Sequence, residues 1–136
     1  MRTSLLAVIM VLLVGVGANV RAADADKAKL EATVDKVLKA YNEGDAKTFN
    51  GEYAKMMSAV ATEQTFKTMY QDQYMKNLGK YESKKPLEKE TVATGDFPLL
   101  VYEAKFEKAP KVKVSVNFTK DGDEFKLMQV RFDKLE

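Results

Sequence analysis

The sequence predicts an α+β fold in which three N-terminal helices pack on one face of a curved antiparallel sheet of about four strands. Between residues 24 and 78, apolar residues recur every three to four positions, which is typical of amphipathic helices. From residue 80 onward they alternate with polar residues, which is typical of strands with one buried face. A chain in which helices come first and antiparallel strands come last is expected to form a layered α+β domain.

Helical periodicity predicts three helices before residue 80. The first covers residues 24–43, and the other two follow Asp45 and Thr62, whose side chains are suited to cap a helix N-terminus. Gly44 and Gly79 come after the first and third helices and predict where these end. The apolar positions expected to face the core are Leu30, Val34, Val37, Leu38 and Tyr41, then Phe49, Tyr53, Met56 and Met57, then Phe66, Met69, Tyr70, Tyr74 and Leu78.

Alternation predicts the strands. The first stretch, residues 81–92, is lysine-rich and interrupted by Pro86, so we expect one weak strand or two short ones at a sheet edge. In the last strand the apolar parity switches, and either a bulge near Leu127 or partial covering of both faces would explain the switch. The later strands are expected at residues 99–106, 111–119 and 124–134, with turns at Gly95-Asp96, Ala109-Pro110 and Asp121-Gly122.

Residues 1–22 have the pattern of a cleavable secretory signal peptide. Arg2 supplies a positive charge, residues 5–14 are all apolar, and small residues surround a cleavage point after Ala22 or Ala23. The apolar run is shorter than the ~20 residues of a membrane-spanning helix, which favours cleavage over an uncleaved anchor. We therefore expect an exported protein, periplasmic or extracellular, with no membrane association after cleavage and a single domain over residues 23–136.

Signal cleavage changes the charge balance of the protein. Arg2 and Arg21 are lost, so the 22 basic residues fall to 20 and equal the 20 acidic ones. The remaining lysines are interspersed with acids, and Arg131 is then the single arginine. Nucleic-acid-binding surfaces need a basic patch of one sign, usually rich in arginine, so we expect no nucleic-acid partner.

The sequence contains no cysteine, no histidine and no tryptophan. Disulfides, zinc sites built from His and Cys, and nucleophiles activated by histidine are therefore excluded. We expect no cofactor and no metal. The domain must be stabilised by its core alone, which a chain of this length can provide.

Several local sequences, in this order, carry a family resemblance. Tyr41-Asn42-Glu43-Gly44-Asp45 joins the first two helices, Leu78-Gly79-Lys80-Tyr81 leads into the sheet, and residues 97–102 and 121–127 form later segments of it. Together they resemble the nuclear transport factor 2-like superfamily, and within it bacterial exported families of unknown function. The resemblance implies a cystatin-like, cone-shaped fold. The superfamily includes isomerases, dehydratases, transport factors and domains without known activity, so the fold does not define a function.

Enzymes of that superfamily work inside the cone, between sheet and helices. The candidate ligand-binding residues expected there are Tyr41, Tyr70, Tyr74, Tyr102 and Arg131. Tyrosines at such positions also serve as ordinary core residues. Arg131 is either an anion-binding group beside Tyr102 or a surface arginine paired with an acid such as Glu103.

Three functions follow from these residues. The first is a non-catalytic exported domain that binds a small apolar ligand in the cone or a protein on the sheet face. The second is an acid/base enzyme of isomerase or dehydratase type that uses Tyr with Asp or Glu, although the clearest strands show no inward carboxylate. The third is a homodimer through the outer sheet face, suggested by Leu99 and Val101.

Overall fold

The computed structural model describes residues 26–135, and the predicted signal peptide lies outside them. Within this range helices precede strands, and the fold is α+β, as predicted. The helices are α1 (residues 26–43), α2 (Ala46–Gly51), a short 3-10 helix (Lys55–Met57) and α3, which runs from Glu63 to Leu78 in three consecutive parts. The strands are β1 (Tyr81–Pro86), β2 (Leu99–Phe106), β3 (Ala109–Asp121) and β4 (Glu124–Lys134).

The predicted starts of α2 and α3 and the predicted end of α3 are confirmed, whereas α2 ends at Gly51, before the predicted Tyr53, Met56 and Met57. The Asp45 carboxylate accepts a hydrogen bond from the Thr48 N–H at 3.1 Å, and this bond begins α2. The Thr62 hydroxyl accepts one from the Thr65 N–H at 3.1 Å and begins α3. Gly79 follows α3 with a φ of 77°, a conformation that glycine adopts more readily than other residues.

The centre of α3 is π-helical. Nine residues, Phe66–Tyr74, form this segment between α-helical ends, and the Met75 N–H donates to the Tyr70 carbonyl five residues earlier. Three rings four residues apart lie on one face of this segment, with centroid distances of 5.7 Å from Phe66 to Tyr70 and 5.3 Å from Tyr70 to Tyr74. The sequence predicts a helix here but not this widening. Long π-helical stretches are rare, and π-helical turns frequently occur at functional sites.

The four strands form one antiparallel sheet in the order β1-β2-β3-β4, with β1 and β4 at its edges. The lysine-rich strand with Pro86 is thus an edge strand, as predicted. The turn predicted at Ala109-Pro110 is wrong, because Ala109 is fully buried and both residues begin β3. The chain reverses direction immediately before these two residues, at Glu107 and Lys108. The N–H groups of Glu107 and Lys108 donate to carbonyls around the end of α3.

β4 contains the predicted bulge. Asn117 of β3 pairs with Gln129 while the next residue, Phe118, pairs with Leu127, which leaves Met128 without a partner across the ladder. Leu127 and Val130 are therefore both buried in the core although three positions separate them. The bulge explains the change of parity that the sequence shows.

The core between helices and sheet is filled by aromatic rings. Tyr41 of α1 lies at its centre, 5.1 Å from Phe132, 5.9 Å from Phe106 and 6.4 Å from Tyr70 in edge-to-face contacts. Its hydroxyl donates to the Gly79 carbonyl at 2.7 Å, which satisfies a polar group at the centre of the domain.

Asn42 attaches α1 to the first strand. Its Nδ2 donates to the Tyr81 carbonyl, and its Oδ1 accepts from the Tyr81 N–H, each at 2.8 Å. One side-chain amide thus satisfies both polar groups of a backbone residue at the start of β1.

Asn42→Ala is expected to lower the free energy of unfolding by about 1–3 kcal/mol, because two partly buried backbone groups lose their partner. Asn77→Ala, at an exposed position of α3, should change it by less than about 0.5 kcal/mol. Urea denaturation of both variants at neutral pH measures the difference. Equal effects would show that the Asn42 amide does not contribute.

Candidate functional site

An open groove of about 320 Å³ lies between α2, the 3-10 helix, α3 and β4. Among the described residues that line it, none carries a charge. Its floor is aromatic and centres on Phe49 of α2, whose ring lies 4.5 Å from Tyr70, 4.9 Å from Phe66 and 5.9 Å from Tyr53. These rings pack against one another and form an apolar base beneath the groove.

Two tyrosines, Tyr53 and Tyr70, lie at the floor, and the Tyr70 hydroxyl is satisfied within the protein. Tyr70 donates to the Val130 carbonyl at 2.6 Å. Burial raises the pKa of the Tyr70 phenol well above its usual range, and the neighbouring Tyr53 raises it further. Burial also raises the pKa of Tyr53, and hydrogen bonds with Tyr70 and with the Val130 backbone partly offset this rise. Both hydroxyls are therefore neutral at physiological pH.

The walls and rim of the groove are rich in methionine. Met57, Met69 and Met128 line it, and Met69 is 36 % exposed while Val60 beside it is 51 % exposed. Met56, predicted to face the core, is 70 % exposed, because α2 ends at Gly51 and Met56 belongs to the separate 3-10 helix Lys55–Met57. The groove is thus open to solvent, with flexible thioether side chains at its entrance.

Two departures from regular secondary structure meet at this groove. The π-helical part of α3 supplies Phe66, Met69 and Tyr70, and the bulge of β4 supplies Met128. β-bulges are common beside functional sites, as π-helical turns are. The parity switch in the last strand reveals the bulge from sequence, whereas no pattern in the sequence reveals the π-helix.

Of the four tyrosines predicted as ligand contacts, the structure places Tyr70 in the groove. Tyr41 is enclosed at the centre of the core, and Tyr74 packs against Phe132 at 4.8 Å. Tyr102 is buried on β2 beneath α1, and burial raises the pKa of its phenol well above the usual range. The predicted residues therefore do not form one site.

The cation beside Tyr102 is Lys84 of β1. Its ammonium group lies 5.1 Å from the centroid of the Tyr102 ring and forms an ion pair with Asp35 of α1. Burial disfavours the charged form of Lys84, but its hydrogen bond to the Asp35 carboxylate and its interactions with Tyr81 together hold the pKa of Lys84 above its ordinary value. The sequence does not single out Lys84, because it lies in a lysine-rich stretch that reads as exposed. In the structure Lys84 is paired with Ala104 of β2, whose side chain faces inward, and this pairing distinguishes it from the other lysines.

Arg131 lies on the outer face of the sheet. Its neighbours Val130 and Phe132 are buried on the inner face, so strand alternation directs the guanidinium outward, where it pairs with Asp133 at 3.1 Å. This placement corrects the hypothesis of an Arg131 facing the interior beside Tyr102. Its acidic partner is also Asp133 on the same strand rather than Glu103.

The outer sheet face carries further ion pairs across its strands. Lys113 lies 2.7 Å from Glu90, and Lys85 lies 3.5 Å from Glu103. Val101, one of the two apolar residues expected on this face, is only 3 % exposed, and its N–H donates to the Thr91 hydroxyl at 3.1 Å. The chain itself therefore covers part of the apolar surface predicted there.

Within residues 26–135 no carboxylate is buried, and Thr119 is the one buried polar residue besides tyrosines. The hydroxyls of Tyr41 and Tyr70 donate to backbone carbonyls and not to acids. The described residues also contain no group of three or more acids that could hold a metal ion. The tyrosine–carboxylate pair that an acid/base site would need is thus not formed in this part of the chain.

No family model, curated protein or solved structure matches this chain. Among the helices of residues 26–135, none is both long and apolar enough to cross a membrane. Functional inference therefore depends on the groove and on the two faces of the sheet.

Proposed function

We propose that this chain is an exported, non-catalytic domain of the nuclear transport factor 2-like cone type that binds a neutral apolar ligand in the groove between α2, α3 and β4. The observation that carries the proposal is the groove itself, which is open, uncharged and about 320 Å³ in volume. Small-molecule sites are mostly apolar clefts of about 300–1,000 Å³. The packing of helices on one face of a four-stranded antiparallel sheet supports the cone fold.

The open, uncharged lining favours the groove over the sheet face. Val60 and Met69 are exposed apolar residues of this lining. The outer sheet face instead presents ion pairs, and a partner docked there would have to desolvate them at a cost. A second copy of the chain on this face could contact Leu99 and its bridge partner Val92, but not the covered Val101. Because it would also have to desolvate the ion pairs, the homodimer is the weaker proposal.

The groove also favours binding over acid/base catalysis. Its described lining contains no Asp or Glu to act as a base. The pKa values of Tyr53 and Tyr70 are raised by burial, so neither phenol accepts a proton at neutral pH. An isomerase or dehydratase would need at least one such group at the ligand.

Titration of the exported chain with Nile red, a neutral apolar dye, tests this function. We expect saturable binding that Met69→Asp weakens at least about tenfold, because the aspartate would place a charge beside the apolar ligand. Thr68→Asp is the matched control, since Thr68 is exposed on the same π-helical segment and does not line the groove. If the two variants bind the dye equally well, the groove is not the site.

A further inference from the structure

The oxidisable side chains of this protein are concentrated at the groove. Mild peroxides oxidise the sulfur of cysteine and methionine, and the sequence contains no cysteine. Residues 26–135 contain five methionines, and three of them, Met57, Met69 and Met128, line the groove. A peroxide that reaches this protein therefore acts mainly on the groove and its surroundings.

Exposure determines which of these sulfurs a peroxide reaches first. Met56 is 70 % exposed and Met69 is 36 % exposed. Met57 and Met128 are half-buried, and Met75 is half-buried and packs against the core. Met69 is therefore the most accessible methionine of the described groove lining, whereas Met56 is more accessible but does not line the groove.

A hydroperoxide oxidises methionine without help from another protein group. The thioether sulfur attacks one oxygen of hydrogen peroxide, the O–O bond breaks and an S–O bond forms. The sulfur loses two electrons, and the second oxygen leaves as water with both hydrogens of the peroxide. The product, methionine sulfoxide, is polar where the thioether was apolar, and reductase enzymes supplied with a dithiol return its oxygen to water.

The surroundings of Met69 suit a thioether better than a sulfoxide. Val60, Ala61 and Phe66 are apolar members of the same lining. In the empty groove the sulfoxide of an exposed side chain keeps its hydration. An apolar ligand would remove this water and offer no hydrogen-bond donor in its place, which carries a free-energy penalty. Oxidation of Met69 therefore weakens the binding of a ligand more than it weakens the fold.

We propose that Met69 is a site of reversible oxidation by hydroperoxides and that its oxidation state controls binding in the groove. The reduced form takes the apolar ligand, and the sulfoxide form releases it. This inference rests on the proposed function, because it concerns the regulation of the same groove.

Limited treatment with hydrogen peroxide, followed by its removal and titration with Nile red, tests the proposal. Met69→Leu keeps an apolar side chain that peroxide does not oxidise, and Met56→Leu is the matched control outside the lining. We expect treatment to weaken dye binding at least about fivefold in the wild-type chain and in Met56→Leu, but not in Met69→Leu. Peptide mass spectrometry should show sulfoxide at Met69 before Met57 and Met128.

Two further measurements separate the sulfoxide from general damage. Methionine sulfoxide reductases with a dithiol should restore the affinity of the treated wild-type chain. Met69→Gln places a neutral polar side chain at the same position and should show the weaker binding without any peroxide.

The outcomes distinguish this inference from the proposed function. Unchanged dye affinity in a wild-type chain whose Met69 is oxidised overturns the inference and leaves the groove as an apolar binding site. An equal loss in Met69→Leu, or oxidation of Met57 or Met128 ahead of Met69, also overturns it. If the untreated wild-type chain does not bind Nile red, the proposed function fails and the inference fails with it.

Discussion

Gly79→Ala is expected to lower the free energy of unfolding by about 3 kcal/mol or more. Gly79 has a φ of 77° and a ψ of −161°, a combination nearly confined to glycine, and other residues pay about 1–3 kcal/mol there. A Cβ atom would also lie 2.8 Å from the Cβ of Glu107, closer than two such carbons can approach. Strain and overlap therefore act together at this position.

The surroundings of Gly79 leave little room for relaxation. Its N–H donates to the Met75 carbonyl, and its own carbonyl accepts the buried Tyr41 hydroxyl. A backbone shift that relieved the contact with Glu107 would stretch both bonds. Because Tyr41 is the central ring of the core, the disturbance would reach the contacts around it.

Alanine variants of two other glycines distinguish backbone strain from steric overlap, when all three variants are compared by urea denaturation at pH 7. Gly95 has a φ of 90° but open space around it, so Gly95→Ala tests strain without overlap and should cost about 1–2 kcal/mol. Gly51 lies in α2 without positive φ and without close neighbours, so Gly51→Ala should stabilise by about 0.5–1 kcal/mol. A Gly79→Ala variant no less stable than Gly95→Ala would refute the role of the overlap.

The elements that sequence reasoning predicted correctly depend on signals within a few residues. Asp45 and Thr62 each cap a helix by accepting a hydrogen bond from a backbone N–H three residues later. The alternation of apolar and polar residues in β4 changes where Met128 is inserted. Such features need no knowledge of distant contacts. The turn before β3 was misplaced because its N–H groups are satisfied by carbonyls near the end of α3, which the local sequence of Ala109-Pro110 does not show.

The site was less predictable because its residues have no distinguishing pattern. The π-helical turn aligns Phe66, Tyr70 and Tyr74 through ring packing, and the same residues would also suit an ordinary helix. Met69 and Met128 lie in elements far apart in sequence, and only the fold brings them to one groove. The sequence identifies the tyrosines as inward-facing residues. It does not distinguish a tyrosine at the floor of the groove from one at the centre of the core.

Stability is expected to fall steeply above about pH 10. Burial raises the pKa values of Tyr41, Tyr70 and Tyr102 in the folded protein, whereas in the unfolded chain each phenol ionises near its ordinary value of about 10. Above that value the unfolded state releases protons that the folded state retains. Each buried tyrosine thus contributes stability that is complete below about pH 10 and decreases by about 1.4 kcal/mol per pH unit above it.

Below that range the stability curve should be nearly flat. The chain has no histidine and no cysteine, so no side chain has its ordinary pKa between the carboxylates and the tyrosines and lysines. Lys84 adds to the alkaline loss, since its pKa is also raised in the folded state. Three buried phenols together give a slope of about 4 kcal/mol per pH unit, which would unfold a domain of ordinary stability within about two to three units above pH 10.

Tyr70→Phe isolates one phenol of this series. The variant loses the hydrogen bond to the Val130 carbonyl and should be less stable at pH 7, but its alkaline slope should also fall by about 1.4 kcal/mol per pH unit, the share of one phenol. Urea denaturation at pH 7, 9, 10.5 and 11, with phenolate absorbance followed in parallel, gives both quantities. The slope of the unfolding free energy against pH is the decisive quantity. A loss of the hydrogen bond alone would lower the free energy of unfolding at every pH without changing that slope. A slope equal to that of the wild-type chain would mean that Tyr70 ionises in the folded state, and the floor of the groove would then be accessible to water rather than apolar.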